Sequence, residues 1–283
     1  IYVSRVIKML DMKPKLYVYR DDAYCSMWIT EDGSEKITDL LTQKGAEQID
    51  TTGLVNIMND GIKKPYTDIV IVFSQDIMPD KVLDNISTPT SNSLFRRFLN
   101  AGHTIIWLGD EPTYHVGLPN KKHQPLPQPR TIQHLIGNPQ LVPTRTDNKS
   151  VLVKPTLEGL LVGMEPWRGK RPHKPLPPGY NFIPLGVSGE GVHSYIYSPI
   201  PVSQTLSGMI RLYDFDPISS KTLSSEMLET IFNIASRKFL FDEITFLNKQ
   251  FNLLRKEVDE KIMNKLDKII EEIKKIQKVD IST

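Results

Sequence analysis

Four short apolar runs, each followed at once by acidic residues, set the pattern of this chain. KLYVY leads into Arg20-Asp21-Asp22, DIVIVFS into Gln75-Asp76, TIIWLG into Asp110-Glu111, and GMIRLY into Asp214-Phe215-Asp216. The runs are rich in Val, Ile, Tyr and Trp and are bounded by polar residues, so each reads as a buried strand. Between them lie stretches with helical spacing. Ser34 is placed to cap a helix carrying Leu40 and Leu41 that Gly45 ends. AEQID reads as a second, weaker strand. Thr51 or Thr52 opens a helix through Leu54, Val55 and Met58, ended by Gly61. Ser91 or Ser93 opens another, with Leu94, Phe95, Phe98 and Leu99 on one side and Gly102 at its end. Alternating strand and helix predicts an α/β fold with a parallel sheet and helices on both faces.

The pattern changes after the fourth strand. Fourteen of the 21 prolines lie between Pro112 and Pro184. Proline fixes φ and removes a donor, which disfavours long helices and central strands there. Residues 111–184 are therefore expected to be a proline-rich insertion, with about 111–150 a long surface excursion. A short helix at Thr156 to Val162, and a hairpin turning at Ser188-Gly189-Glu190-Gly191 into HSYIY, should follow. GMIRLY then returns the chain to the sheet. Residues 1–221 form the α/β domain on this reading, and 222–283 a C-terminal helical segment.

That last segment holds no proline or glycine from Leu223 onward. Leu240, Ile244, Leu247, Phe251 and Leu254 step by four and three, as do Leu266, Ile269, Ile273 and Ile276. This is the seam of a coiled coil. Leu254, Val258, Ile262 and Leu266 step by four throughout, which should locally unwind a supercoil. Glu257 with Lys261 and Glu271 with Lys275 supply i,i+4 pairs on the outer face. The expected partner is a second copy of the chain; the alternative is an amphipathic helix packed on its own domain.

Composition narrows the function classes. The chain has 283 residues, a formal net charge of +2, and one cysteine, Cys25. There is no strong nucleic-acid signal in that charge. A lone cysteine excludes an internal disulfide and a cysteine zinc cage. No apolar stretch reaches the ~20 residues needed to span a bilayer, and no secretory pattern is visible, so a cytoplasmic location is expected. The chain opens on Ile1, which reads as the interior of a longer protein.

In an open parallel α/β sheet, ligands bind beyond the carboxyl ends of the strands. The candidate ligand-binding residues are therefore Asp21, Asp22, Asp76, Asp110, Glu111 and Asp214, with Asp216 beside them and Arg20 and Arg211 as cationic partners. Clustered carboxylates can hold sugar hydroxyls, or divide acid and base roles when their pKa values diverge. The plain alternative is that Asp caps helices and turns after buried strands, and that Arg20 and Arg211 neutralise nearby acids. No metal is expected, because no compact D-x-D-x-D spacing occurs, and no cofactor is specified. Arg168, Lys170, Arg171, His173 and Lys174 form a basic stretch beside Trp167 that could hold an anion or a stacked base, or be a solvated loop. Among the histidines 103, 115, 123, 134, 173 and 193, His115 lies nearest the strand-four acids and is the best acid–base candidate. No G-x-S-x-G, Walker A loop, G-x-G-x-x-G or H-E-x-x-H is present.

The run YTDIVIVFSQD followed by LFRRFLNAGHTIIWLGDEP resembles the class I glutamine amidotransferase-like superfamily, and within it the flavodoxin-like, non-peptidase branches such as ThuA-like proteins. The likeness covers about residues 13–110, with 207–216. It implies a flavodoxin-like sheet with its working edge after the strands. It does not extend to the family's thiol chemistry, since there is no G-x-C-x-G elbow. Cys25 sits in DDAYCSMW without flanking glycines, and His103 begins a strand. The expected function is a non-catalytic or cryptically active domain binding a small polar ligand, a sugar or nucleotide, and oligomerised through the C-terminal helix. A hydrolase or glycosyl-transferring enzyme using strand-end carboxylates, and a structural scaffold or interaction module, are the alternatives.

Overall fold

The computed structural model describes residues 14–65, 67, 69–138, 140–144, 149–176, 182–198, 208–236 and 256–269. The chain divides into two compact units, Ile1–Phe239 and Leu240–Thr283.

The first unit is a mixed α/β structure around a nine-stranded sheet. The apolar runs become β1 (Lys15–Tyr19), β3 (Ile69–Phe73), β5 (Thr104–Leu108) and β12 (Gly208–Leu212). With the short β2 (Glu47–Ile49) they form five parallel strands in the order β2-β1-β3-β5-β12. Four antiparallel strands extend the sheet beyond β12: β11 (Gly191–Tyr197), β10 (Phe182–Ser188), β8 (Val151–Pro155) and β9 (Trp167–Gly169). A separate three-stranded sheet joins β4 (Met78–Pro79), β6 (His115–Leu118) and β7 (Lys122–Pro125).

Both faces of β3, β5 and β12 are buried, which is why they read as continuous apolar runs rather than alternating ones. On one face Tyr19, Ile71, Phe73, Ile105 and Trp107 join one core with Leu54 and Met58 of α2 (Thr51–Lys63), Phe95, Phe98 and Leu99 of α3 (Leu94–Asn100), and Ile132, Leu135 and Ile136 of α4 (Arg130–Ile136). The intervening Val18, Val72, Ile106 and Ile210 are equally enclosed. Fully burying each such side chain contributes about 1.5–3 kcal/mol.

Two helices start earlier than their apolar spacing suggests. Helix α1 (Glu31–Gln43) is capped by Thr30, not Ser34. Ser34 instead lies buried in the first turn, bonding the Ser74 hydroxyl at 3.0 Å. Helix α2 is capped by Asp50, whose carboxylate accepts the Gly53 N–H at 2.8 Å. Such a cap contributes about 1 kcal/mol.

The proline-rich stretch is more structured than its composition implies. It supplies β6 to β9, the first part of β10, α4 and α5 (Leu157–Leu161). Proline is tolerated inside the sheet at Pro184 because the β10–β11 register shifts there, between Pro184 and Gly186. The 188–191 turn and the short helix after Thr156 lie where the sequence places them. Helix α6 (Ser225–Ser236) buries Leu228, Ile231 and Ile234 and belongs to the first unit, which runs to Phe239 rather than ending at 221.

In the second unit residues 256–269 are helical. Val258, Ile262, Leu266 and Ile269 of the seam are each about half exposed. Leu240, Ile244, Leu247, Phe251, Leu254, Ile273 and Ile276 lie outside the described residues. No helix among the described residues is long and apolar enough to cross a membrane.

Candidate functional site

Strand register builds the site. Tyr19, Phe73, Trp107, Arg211 and Tyr195 stand side by side across β1, β3, β5, β12 and β11. The aromatic members pack on one another, with Tyr19–Phe73 and Phe73–Trp107 ring centroids 4.9 and 5.1 Å apart. Arg211 is the charged member of this row and is 0% exposed. Its Nη1 donates to the Arg171 carbonyl at 2.6 Å and lies 3.2 Å from His173 Nδ1. Its Nε and Nη2 have no hydrogen-bond partner.

Other unpartnered polar atoms surround it. Glu111 Oε1, His173 Nε2 and the Tyr195 hydroxyl are buried without hydrogen bonds. His173 Nε2 and Glu111 Oε1 lie 3.8 Å apart, too far for a hydrogen bond. Leaving a buried polar group unpaired costs about 1–3 kcal/mol, more when it is charged. Several such atoms are gathered here at one place.

Asp110 and His115 border this cluster. Asp110 accepts the Glu111 N–H at 2.7 Å, and its other oxygen lies 3.8 Å from His115 Nδ1. Burial, outweighing that hydrogen bond and helped by the Asp76 charge, pushes Asp110 up to about 7. Burial and the neighbouring His123 bring His115 down to about 4, so its ring is neutral at pH 7. Burial likewise lowers His173. Nearer solvent, the Arg171 guanidinium lies over the rings of Trp28 and Tyr114, at 5.4 and 5.1 Å.

The remaining acids have different duties. Asp76 accepts five donors: the Ser26 hydroxyl and the N–H groups of Met27, Trp28, Ile29 and Asp110. It ties the loop after β1 to the ends of β3 and β5. Asp21 accepts the N–H groups of Ala23 and Thr51, holding the start of α2. Asp22 is exposed and meets Arg20 at 3.5 Å. Asp214 is fully buried and accepts from Trp167 Nε1, the Lys170 and Arg171 N–H groups, and His193 Nδ1. Asp216 pairs with Lys170 at 2.9 Å. The structure thus gathers Asp110, Glu111 and Arg211 into one polar cluster, while Asp22 pairs with Arg20 and the Asp21 N–H donates to Gln75 Oε1 at 2.8 Å.

The basic stretch divides. Arg168 bonds Ser150, Lys170 pairs with Asp216, and Arg171 and His173 turn to the cluster. Tyr195 and His173 were not singled out by sequence as partners of Arg211. The sequence signals for this place were the acids after the fourth apolar run, the basic stretch beside Trp167 and a charged residue within an apolar strand run. Among the described residues there is no group of three or more His, Cys, Asp or Glu that could hold a metal ion.

Fold and site together define an α/β protein with a buried, incompletely satisfied polar cluster beyond the carboxyl ends of β5 and β12. The chain belongs to the MJECL34 family, whose model matches residues 14–238. It is 35% identical over 269 residues to the Methanocaldococcus jannaschii protein named "Uncharacterized protein MJECL34", covering 92% of this chain and 86% of that one. The residues matched by the family model, 14–238, span all the strands and the residues of the polar cluster.

Proposed function

We propose that this chain binds a small polar ligand, of the sugar or nucleotide class, at the cluster around Arg211, on a flavodoxin-like frame of the amidotransferase-like and ThuA-like kind, and self-associates through a C-terminal coiled coil. The parallel order β2-β1-β3-β5-β12 supports the frame, because it follows the 2-1-3-4-5 order of flavodoxin-like sheets. One observation carries the ligand reading. A fully buried guanidinium keeps Nε and Nη2 unbonded in reach of a region that also holds an unbonded carboxylate oxygen, imidazole nitrogen and phenol. Arg211 offers its fork to phosphate or hydroxyl oxygens. Glu111 offers an acceptor to hydroxyl donors, and the Trp28–Arg171–Tyr114 stack offers a flat face to a base or sugar ring.

A thermal-shift panel of sugars and nucleotides on the intact chain tests this. A ligand at about 100 times its Kd adds about 2.7 kcal/mol of apparent stability. The expected result is an upward shift in the parent that disappears in Arg211→Met. A shift of the same size in Arg211→Met, or none across the panel, overturns the reading.

A second reading, a hydrolase or glycosyl-transferring enzyme, draws support from Asp110. A carboxyl pushed up to about 7 suits a general acid, and a second carboxyl, Glu111, follows it in the chain.

A further inference from the structure

A hydrogen-bonded chain of three side chains lies at the β10–β11 hairpin, and Arg171 links its acid, Asp214, to Arg211 through its backbone N–H and carbonyl. The Ser188 hydroxyl is 2.9 Å from His193 Nε2, and His193 Nδ1 is 2.6 Å from Asp214 Oδ2. We propose that Ser188, His193 and Asp214 form a nucleophile–base–orienter triad that cleaves carboxylic esters.

Each role follows from the bonding. Asp214 accepts three further donors, from Trp167, Lys170 and Arg171, and so is fixed in place as an acceptor. Burial works against its charge, but the His193 hydrogen bond and the Arg211 cation outweigh burial and hold it below the usual carboxylate range. An ionised Asp214 places the imidazole proton on Nδ1 and leaves the Nε2 lone pair facing the serine. The Glu190 N–H donates to the serine oxygen at 3.1 Å, which leaves the hydroxyl proton free to point at Nε2. Distances of 2.6 to 3.2 Å between nucleophile, base and orienter are the signature of an activated hydroxyl, recognised by geometry rather than chain order.

The surroundings suit both halves of the triad. His193 and Asp214 are 0% exposed, while Ser188 is half-buried and the next two residues are exposed. A Cβ at Gly189 would meet nothing within 4 Å, so the approach beside the serine is open. Gly169 presses on the buried pair from the other side. A Cβ there would sit 2.5 Å from His193 Nδ1 and closer still to Asp214, so strand β9 can lie against the pair only with glycine at this position.

The step balances without any cofactor. Ser188 Oγ attacks the ester carbonyl while its proton passes to His193 Nε2. The tetrahedral adduct collapses, the C–O bond to the alcohol breaks, and the alcohol leaves with that proton. Water then repeats the sequence on the acyl-serine, releasing the acid. The proposal stands independently of ligand binding at Arg211.

The test is reaction of the intact chain with a fluorophosphonate probe, in which the serine oxygen displaces fluoride from phosphorus. The parent should gain one phosphonyl group mapped to Ser188, and should release p-nitrophenol from p-nitrophenyl acetate with an initial burst. Ser188→Ala should melt with the parent and lose both signals. His193→Gln should slow labelling by about a hundredfold or more. Because His193 is buried and its variant can fail to fold, the decision rests on Ser188→Ala. If the folded parent is labelled no faster than Ser188→Ala, or the label maps elsewhere, the triad is structural and the proposal falls.

Discussion

The backbone N–H of Asp110 donates to Oδ2 of Asp76 at 2.8 Å, so one carboxylate at the end of β3 holds the other at the end of β5. The contact depends on the glycine between. Gly109 has φ +83° and would bring a Cβ to 2.6 Å from Asp76 Oδ2. Two acids that look alike in sequence therefore have opposite characters. Asp76 has its oxygens filled by five donors. Asp110 is short of donors, and burial raises it.

Asp76→Asn should be the most disruptive of the conservative changes at this edge. An amide nitrogen would replace one acceptor and face N–H groups that can only donate. Hydrogen bonds to a charged group contribute about 1.5–3 kcal/mol each, and an orphaned donor costs about 1–3 kcal/mol. We expect a loss of about 3 kcal/mol or more by urea denaturation. An unchanged midpoint would mean that the loop after β1 is not held through this carboxylate.

Asp110 gives a pH dependence of defined sign. Its folded pKa of about 7 lies above the ordinary aspartate value of 3.8, so the folded state binds the proton more tightly than the unfolded state. Stability from this group is present below about pH 4 and is lost as pH rises toward 7. The difference of about three units corresponds to at most about 4 kcal/mol. Asp110→Asn keeps an oxygen for the Glu111 N–H and removes the titration. The variant's melting temperature should therefore exceed the parent's by more at about pH 8 than at about pH 5. An equal difference at both pH values would show that Asp110 titrates normally.

Cys25 should behave as a packing residue. Burial pushes its thiol above the ordinary value, and the thiol makes a weak contact with the Lys122 carbonyl at 3.9 Å. At pH 7.5 it should react with an aromatic disulfide reagent more slowly than a free small-molecule thiol does. Cys25→Ser should change stability by about 1 kcal/mol or less. Rapid reaction would contradict this environment.

The parallel half of the sheet was legible because burial on both faces writes continuous apolar runs, and the acids after β3, β5 and β12 marked where those strands end. The short turn at 188–191 was legible from Gly189 and Gly191 around Glu190. The cluster around Arg211 was readable only in part. Arg211 announces itself by standing where an apolar residue is expected. Its neighbours do not, because Tyr195 arrives by antiparallel pairing to β12 and His173 by an isolated bridge to Val192. Such long-range register leaves no local periodicity. Helix starts slipped for a related reason. Ser34 has the chemistry of a cap, but its hydroxyl is taken by Ser74 and Thr30 caps instead. Ser188 and His193 are five residues apart in sequence, yet Asp214 comes from a different strand end, and only the fold joins the three.

The last expectation concerns assembly. Within the helix at 256–269, Val258, Ile262, Leu266 and Ile269 are 46–52% exposed, with Met263 beside them at 57%. The opposite face carries the Glu257–Lys261 pair at 2.7 Å and the Lys256–Glu260 pair at 4.0 Å. Such pairs add only about 0.3–0.5 kcal/mol each, so they do not make a helix of this length stable in water by themselves. Burial of the apolar stripe supplies what they lack, and a second copy of the same helix presents a matching stripe. We therefore expect the intact chain to exceed monomer mass by light scattering at tens of micromolar. Ile262→Asp with Leu266→Asp should return it to monomer, because a buried unpaired carboxylate costs several kcal/mol. The α/β unit should keep its melting transition in that variant. A parent chain that is monomeric throughout this range would rule out the coiled coil.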